Sequence, residues 1–304
     1  MQKLHEWSRM DRLLWMHCYV RAVETGSFSA VARELEIGQP TVSRHIAQLE
    51  AHLGCRLLQR STRRLSLTAE GERYYPEARR ALEAVALAES GVQGEPVPQG
   101  LLRVTCPTAL ARFLILPLVT GFLRAHPRVE LDLQIVDRRV DLIEEGVDLA
   151  IRVGELSDSA LHARRLALAP RVCVASPDYL ARQGTPQRPR DLGQHNCVRY
   201  SLLSTGSRWP FETEPVEVSG NFRVNSPDGV REVVAAGLGI GLAPRWLFED
   251  LLAQGRVLPL LDDHPLPPMP IHALYPTRRW LPPRAQVFIE AVARALRERL
   301  GSGG

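Results

Sequence analysis

Gln39, Thr41, Ser43, Arg44 and Gln48 fall within ten consecutive residues, and their side chains share one chemistry, the reading of base edges and phosphate oxygens. A glutamine amide can pair with adenine, an arginine guanidinium with guanine, and a hydroxyl with phosphate or either base class. Pro40 stands near the start of the same segment, where a helix loses nothing by lacking an N–H. These groups can act together when they share the outer face of one helix, near its N-terminus, whose partial positive charge also favours phosphate. A second basic group follows at Arg60, Arg63 and Arg64, placed to track a phosphate backbone or enter a minor groove. The alternative for both groups is a surface helix pair with solvated charges.

The elements that must hold these residues are legible around them. Val42, Ile46, Leu49 and Leu53 recur at i, i+4, i+7 and i+11, predicting a helix from Gln39 to about His52 with one buried stripe. A short helix over Phe28–Leu35 precedes it, with Ser27 placed to cap it, and Glu36-Ile37-Gly38 forms the turn between them. Upstream, Leu13, Met16, Cys18, Val20 and Val23 predict a helix from Arg12 to about Glu24, while Met1–Arg9 carries no clear pattern. Leu57–Arg60 and Leu65–Leu67 alternate as strands around the polar tip Ser61–Arg64, a small hairpin. Thr68 then caps a long helix reaching about Glu89, with a kink or break expected at Pro76. Its apolar positions Tyr75, Ala78, Leu82, Val85 and Leu87 are too few for a large core, so a partner helix from a second subunit is expected.

The stretch VETGSFSAVARELEIGQPTVSRHIAQLEAHLGCRLLQRSTRRLSLTAEGERYY resembles the N-terminal winged helix-turn-helix of LysR-type transcriptional regulators. The likeness runs from about Met10 to Glu89: a Gly-Ser-Phe entry, a Gln-Pro recognition start, Leu-Glu-x-x-Leu-Gly, an Arg-rich wing and Leu-Thr-x-x-Gly. Gly38 stands where the family usually has a serine cap, a change worth a few tenths of a kcal/mol. Thr41 replaces the common alanine and adds a hydroxyl on the face expected to meet DNA. The segments VDLAIRVGEL, VASPDYLARQGTPQRPRDLGQHNCV and AAGLGIGLAPRWL resemble the family's effector-binding domain.

The resemblance implies an α/β protein with a winged helix-turn-helix at 10–67, a linker and dimerisation helix at 68–91, and an effector-binding domain at 98–304. It implies that this last domain is built like periplasmic solute-binding proteins, with subdomain I at about 98–168 plus 270–300 and subdomain II at about 169–269. Ligand is expected between them. Gly91–Gly100 is the clearest linker, and beyond it strands and helices alternate, as an α/β fold requires. Helices are expected at 109–126, 140–145, 177–182, 228–236 and 283–300, and strands at 101–106, 129–136, 148–153, 172–176, 239–243 and 271–275, with 216–224 extended.

Ligands in α/β folds collect at strand ends, and a helix start suits an anion. Thr105 and Thr108 flank such a strand-to-helix turn, Arg152 ends a strand and could pair with a carboxylate, and Tyr200, Asn225 and Ser226 offer further donors. Each has a plainer reading as a cap, a turn or a solvated side chain, and Arg152 as a surface ion pair. The expected effector is a small organic acid. Cys106, in the same turn, is a redox sensor if exposed with a lowered pKa and otherwise a packed, inert thiol.

Composition agrees. The 304 residues are 45% apolar and 24% charged, enough for more than one core. Residues 1–68 hold ten Lys/Arg against six Asp/Glu, which equals the whole-chain excess of +4. Arginine's abundance is explained by codon usage, so positions carry the argument and numbers do not. Five scattered cysteines without a C-x-x-C pair suggest neither zinc nor a disulfide framework, and with no secretory pattern the expected compartment is the cytoplasm. No metal, cofactor or catalytic residue is expected: G-x-S-x-G, H-E-x-x-H and P-loop patterns are absent, and Gly237-Leu-Gly-Ile-Gly241 follows a helix, the wrong context for a dinucleotide fingerprint. An exported solute-binding protein and a cleft enzyme are the rival readings; the first lacks a signal segment and the second a base or nucleophile constellation. The expected partners are promoter DNA with an imperfect inverted repeat, the effector, and further copies of the chain as a dimer through the linker helix and a tetramer of dimers, with no membrane.

Overall fold

A computed structural model describes residues 4–60, 65–93, 97–138, 140–156, 161–203, 205–276 and 281–300. The chain divides into two compact units, Met1–Val97 with Ile143–Gly146, and Pro98–Leu142 with Val147–Gly304.

The first unit is built from α1 (Leu4–Thr25), α2 (Phe28–Glu34), α3 (Gln39–Leu53), the strands β1 (Leu58–Arg60) and β2 (Leu65–Leu67), and α4 (Ala69–Gln93). Helix α1 begins well before Arg12, so Leu4–Met10 is helical without an apolar repeat of its own. Ser27 caps α2 by accepting from the Ala30 N–H at 3.3 Å. Glu36 takes a left-handed backbone (φ 53°) in the tight turn that follows, a conformation uncommon for residues with a side chain. Gly54 ends α3 in the left-handed region at φ 69°. Cys18, Tyr19, Ala22, Val31, Val42, Ile46, Leu49, Leu57 and Ala78 close one core among these elements.

Helix α4 passes through Pro76 without the break that was one of the two outcomes expected there. The Tyr75 hydroxyl donates to Glu24 at 3.1 Å and Ala78 is fully buried, so contacts on both sides of the proline hold both turns in place. At its start, Thr68 Oγ1 accepts from the Gly71 N–H (2.9 Å) and donates to the Arg56 carbonyl (2.6 Å), while Tyr19 donates to the Gly71 carbonyl (2.8 Å). Gly71 is needed here: a Cβ would lie 2.1 Å from the Leu57 carbonyl oxygen.

The second unit holds two five-stranded sheets. Strands β3 (Gly100–Cys106), β4 (Val129–Ile135), β5 (Leu149–Val153), β6 (His162–Ala169), β7 (Arg171–Ala175), β8 (Cys197–Tyr200), β9 (Arg208–Pro210), β10 (Pro215–Glu217), β11 (Arg223–Val224), β12 (Ile240–Pro244), β13 (Leu258–Leu260) and β14 (Met269–Tyr275) follow in chain order. The first sheet runs β4-β3-β5-β14-β6, the second β11-β8-β12-β7-β13, and β9 pairs with β10 as a separate hairpin. The chain crosses between sheets twice, at Pro170 between β6 and β7 and again between β13 and β14, and the Arg171 guanidinium donates to the Pro267 carbonyl at 2.5 Å, tying the two crossings together.

Helix α5 (Thr108–Leu110), a π-helical turn over Ala111–Ile115 and α6 (Leu116–Ala125) form one continuous stretch behind β3. By length and composition it could cross a membrane. Its Leu110, Leu114, Ile115 and Phe122 are buried in the core with Leu102, Val104, Phe288 and Val292, which accounts for its apolar character. The second sheet carries α7 (Pro177–Gln183), α8 (Pro227–Ala235) and α9 (Glu249–Ala253), and α10 (Pro283–Leu300) closes on the first. Residues 142–146 form a turn rather than the expected helix, with the Val147 N–H on the Leu142 carbonyl and Gly146 at φ 62°.

Candidate nucleic-acid interface and effector cleft

Helix α3 separates its two faces cleanly. Val42, Ile46 and Leu49 are buried, while Gln39, Pro40, Arg44 and Gln48 are exposed and Thr41 and Ser43 half-exposed. The Ser29 hydroxyl donates to the Gln39 side-chain carbonyl at 3.3 Å, so α2 steadies the first residue of this face. Arg44 makes no ion pair among the described residues, leaving its guanidinium available to a phosphate or base.

The hairpin beside α3 is anchored by Glu50, which the sequence motifs did not single out. Its carboxylate is buried and accepts from the Leu57 N–H (2.8 Å) and the Leu58 N–H (3.1 Å) at the entry to β1, and pairs with Arg56 at 3.1 Å. The glutamate of the Leu-Glu-x-x-Leu-Gly pattern thus holds the wing to the recognition helix. Arg60 lies in β1, paired with Leu65 of β2. Arg63 and Arg64 fall outside the described residues.

In the second unit, the ends of β4, β3 and β5 lie side by side. Thr105 is fully buried near the end of β3, and its hydroxyl accepts from the Arg152 guanidinium of β5 at 3.3 Å. Arg152 also donates to the Ile151 carbonyl at 3.2 Å. No carboxylate among the described residues reaches ion-pair distance of Arg152; its hydrogen-bond partners are a carbonyl and a hydroxyl, and the Asp137 charge acts on it from farther away. Burial accordingly holds its pKa below the ordinary arginine value.

Asp137, two residues beyond the end of β4, was not anticipated. Its carboxylate accepts from the Thr108 N–H and the Thr108 hydroxyl, both at 3.0 Å, and so caps the helical stretch that begins there. The helix start offered by sequence as an anion site is therefore filled by the chain's own carboxylate. A charged residue at the C-terminal end of a strand was the available signal. Tyr200, at the end of β8 in the second sheet, faces this group: burial and the Asp137 charge push its hydroxyl pKa up to about 12, so it remains a donor.

Asn225 and Ser226 follow Val224, the residue of β11 that pairs with Tyr200 of β8. Asn225 is exposed, and Ser226 caps α8 by accepting from the Gly229 N–H at 3.3 Å. Nearby, Arg112 pairs with Asp228 at 3.4 Å, linking the π-helical turn to the start of α8. Cys106 is fully buried and its thiol is pushed up to about 12 by desolvation, the condition of a packed thiol. In the Gly237–Gly241 run, a Cβ on Gly239 would lie 2.2 Å from the Asn196 carbonyl oxygen, so the glycine permits close packing of backbones.

A winged helix with an exposed polar recognition face, joined to two sheets bridged by two crossings, defines a DNA-binding regulator with a ligand-responsive domain. Residues 13–72 match the model of the bacterial regulatory helix-turn-helix protein, lysR family, and residues 96–297 match the LysR substrate binding domain. The chain belongs to the LysR family of transcriptional regulators. The regulator CrgA of Neisseria meningitidis is 35% identical over 287 residues, spanning 93% of this chain and 96% of the relative. PtxR of Pseudomonas aeruginosa is 36% identical over 302 residues, spanning 96% and 95%. The solved structure of CrgA superposes with a TM-score of 0.60 at 34% identity, covering 95% of this chain and 98% of that one. A full-length variant of OxyR from Pseudomonas aeruginosa shares the fold, with a TM-score of 0.67 at 19% identity, covering 96% of this chain and 98% of that one. The chain is a transcription regulator that binds DNA and a small-molecule effector and works as an oligomer, and it is not an enzyme.

Proposed function

We propose that Gln39, Pro40, Thr41, Ser43 and Arg44 enter the major groove of a promoter half-site, while Arg60, Arg63 and Arg64 of the wing bind the flanking backbone or minor groove. The observation that carries this reading is the segregation of α3, apolar inward and hydrogen-bonding outward at its N-terminal end. Winged domain 10–67, linker helix 68–91 and effector domain 98–304 are its working parts. Two copies meet through α4, whose partly buried Leu82 and Val85 require a partner, and the operator is an imperfect inverted repeat. Pairing of dimers into a tetramer and action in the cytoplasm complete the picture.

The effector is a small organic acid held between subdomain I (about 98–168 and 270–300) and subdomain II (about 169–269). The charge of Arg152, which is hydrogen-bonded to neutral groups, supports this, with Thr105 beside it, Thr108 and Tyr200 grouped about Asp137, and Asn225 and Ser226 following the partner of Tyr200 in β11. Such an effector shifts DNA-bound arrangements only by its differential affinity for them. The test is anisotropy titration on the DNA upstream of the gene. Arg44→Ala should reduce the ratio of specific to non-specific affinity by about 5- to 150-fold, equivalent to the ~1–3 kcal/mol of one bidentate base contact. Arg63→Ala should weaken both nearly equally. An unchanged ratio for Arg44→Ala would remove α3 from the groove.

A further inference from the structure

Thr105 lies on β3, between β4 and β5 in the sheet. Adjacent strands are about 4.8 Å apart, so the ends of β4 and β5 are separated by roughly 10 Å. Arg152 rises near one end of this interval and Asp137 from beyond the other, and they do not pair. The cation is held by a carbonyl and a hydroxyl, the carboxylate by the N–H and hydroxyl of Thr108. Each Asp137 oxygen accepts one hydrogen bond from Thr108 and keeps a further acceptor site. A small molecule with an acceptor at one end and a donor at the other would span two charges set at this spacing.

We propose that Asp137 sets effector selectivity: the effector is a monocarboxylate that also carries a hydroxyl or ammonium donor, with its carboxylate on Arg152 and its donor on Asp137. The inference rests on the reading of Arg152 as the carboxylate anchor. A plain monocarboxylate leaves the second acceptor unmatched. A dicarboxylate brings a second negative charge against Asp137, and like charges a few ångströms apart repel. The Tyr200 hydroxyl, protonated throughout the physiological range, adds a donor from the second sheet on the Asp137 side.

The test uses the full-length protein and two matched probe series in titration calorimetry. The aliphatic series is propanoate, 2-hydroxypropanoate and propanedioate; the aromatic series is benzoate, the hydroxybenzoates and phthalate. In the wild type the hydroxylated member of one series should bind tightest, with the dicarboxylate at least about tenfold weaker. Asp137→Asn, which keeps an acceptor for the Thr108 N–H, should narrow that ratio several-fold or invert it. Asp137→Ser serves as the second variant if the amide perturbs folding, as judged by circular dichroism. An unchanged ratio in both variants, or a dicarboxylate preferred by the wild type, would overturn the selectivity role while leaving Arg152 as anchor. Arg152→Gln separates the two claims. If it binds every probe as the wild type does, or if no probe binds the wild type at all, the anchor reading fails and the selectivity proposal falls with it.

Discussion

Replacing Glu50 by leucine removes the carboxylate that receives the Leu57 and Leu58 amides where the chain enters the wing. Each buried amide left without an acceptor costs about 1–3 kcal/mol, so two cost about 2–6 kcal/mol if β1 stays in place. Swinging β1 outward lets water take over part of that bonding, which leaves about 2–4 kcal/mol against the docked wing. The Arg56 partner is 71% exposed, so its ion pair adds at most about 1 kcal/mol. At about 1.4 kcal/mol per factor of ten, the detached wing becomes roughly 30- to 900-fold more populated. Hydrogen exchange read at Leu57 and Leu58 should accelerate by that factor, and DNA affinity should fall while α3 keeps its own protection. Glu50→Gln retains an oxygen for both amides and should cost about 1 kcal/mol, the difference between a charged and a neutral acceptor. Wild-type exchange rates in Glu50→Leu, or equal damage from Gln and Leu, would refute the reasoning.

Gly71→Ala should destabilise the first unit: overpacking against the Leu57 carbonyl costs about 3 kcal/mol, against ~1 kcal/mol gained in helix propensity, and calorimetry should show the loss as a lower Tm. The buried thiols give a pH dependence. Cys18 is raised from 9.0 to about 11, and Cys106 and Cys197 to about 12, so unfolding releases protons above pH 9. Stability is therefore full below pH 9 and declines between 9 and 12, and urea midpoints at pH 8 and pH 10.5 should differ in that sense. If a dimer neutralises about 8 phosphates, log affinity for operator DNA should fall against log salt with a slope near −7; a slope near zero would contradict the electrostatic role of the arginines.

The N-terminal unit was legible because its signals are local. Ser27 caps what it precedes, the stripe of Val42, Ile46 and Leu49 fixes the buried face of α3, and the alternation at 65–67 marks a strand. At Pro76 the helix does not break, because Tyr75 and Ala78 are held by contacts with distant parts of the chain that the local sequence does not show. In the second unit, β6 escaped notice because its His162-Ala-Arg-Arg run carries little apolar alternation, and β8 and β13 because three- and four-residue strands buried among neighbours have no period of their own. Residues 216–224, expected as one extended piece, contribute β10 to the hairpin and β11 to the larger sheet. Thr105, Thr108 and Arg152 could be singled out from their places at strand and helix ends. Asp137 also follows a strand end, but its capping role could not be read there, because its partner Thr108 is 29 residues away and comes near through parallel pairing of β3 with β4.

Tyr19, Thr68 and Gly71 join the start of α4 to α1 and to the base of the wing. The consequence is mechanical: α4 is a shaft keyed to its gear by these three hydrogen bonds. Turning the rod about its axis must either carry the wing with it or break these three bonds.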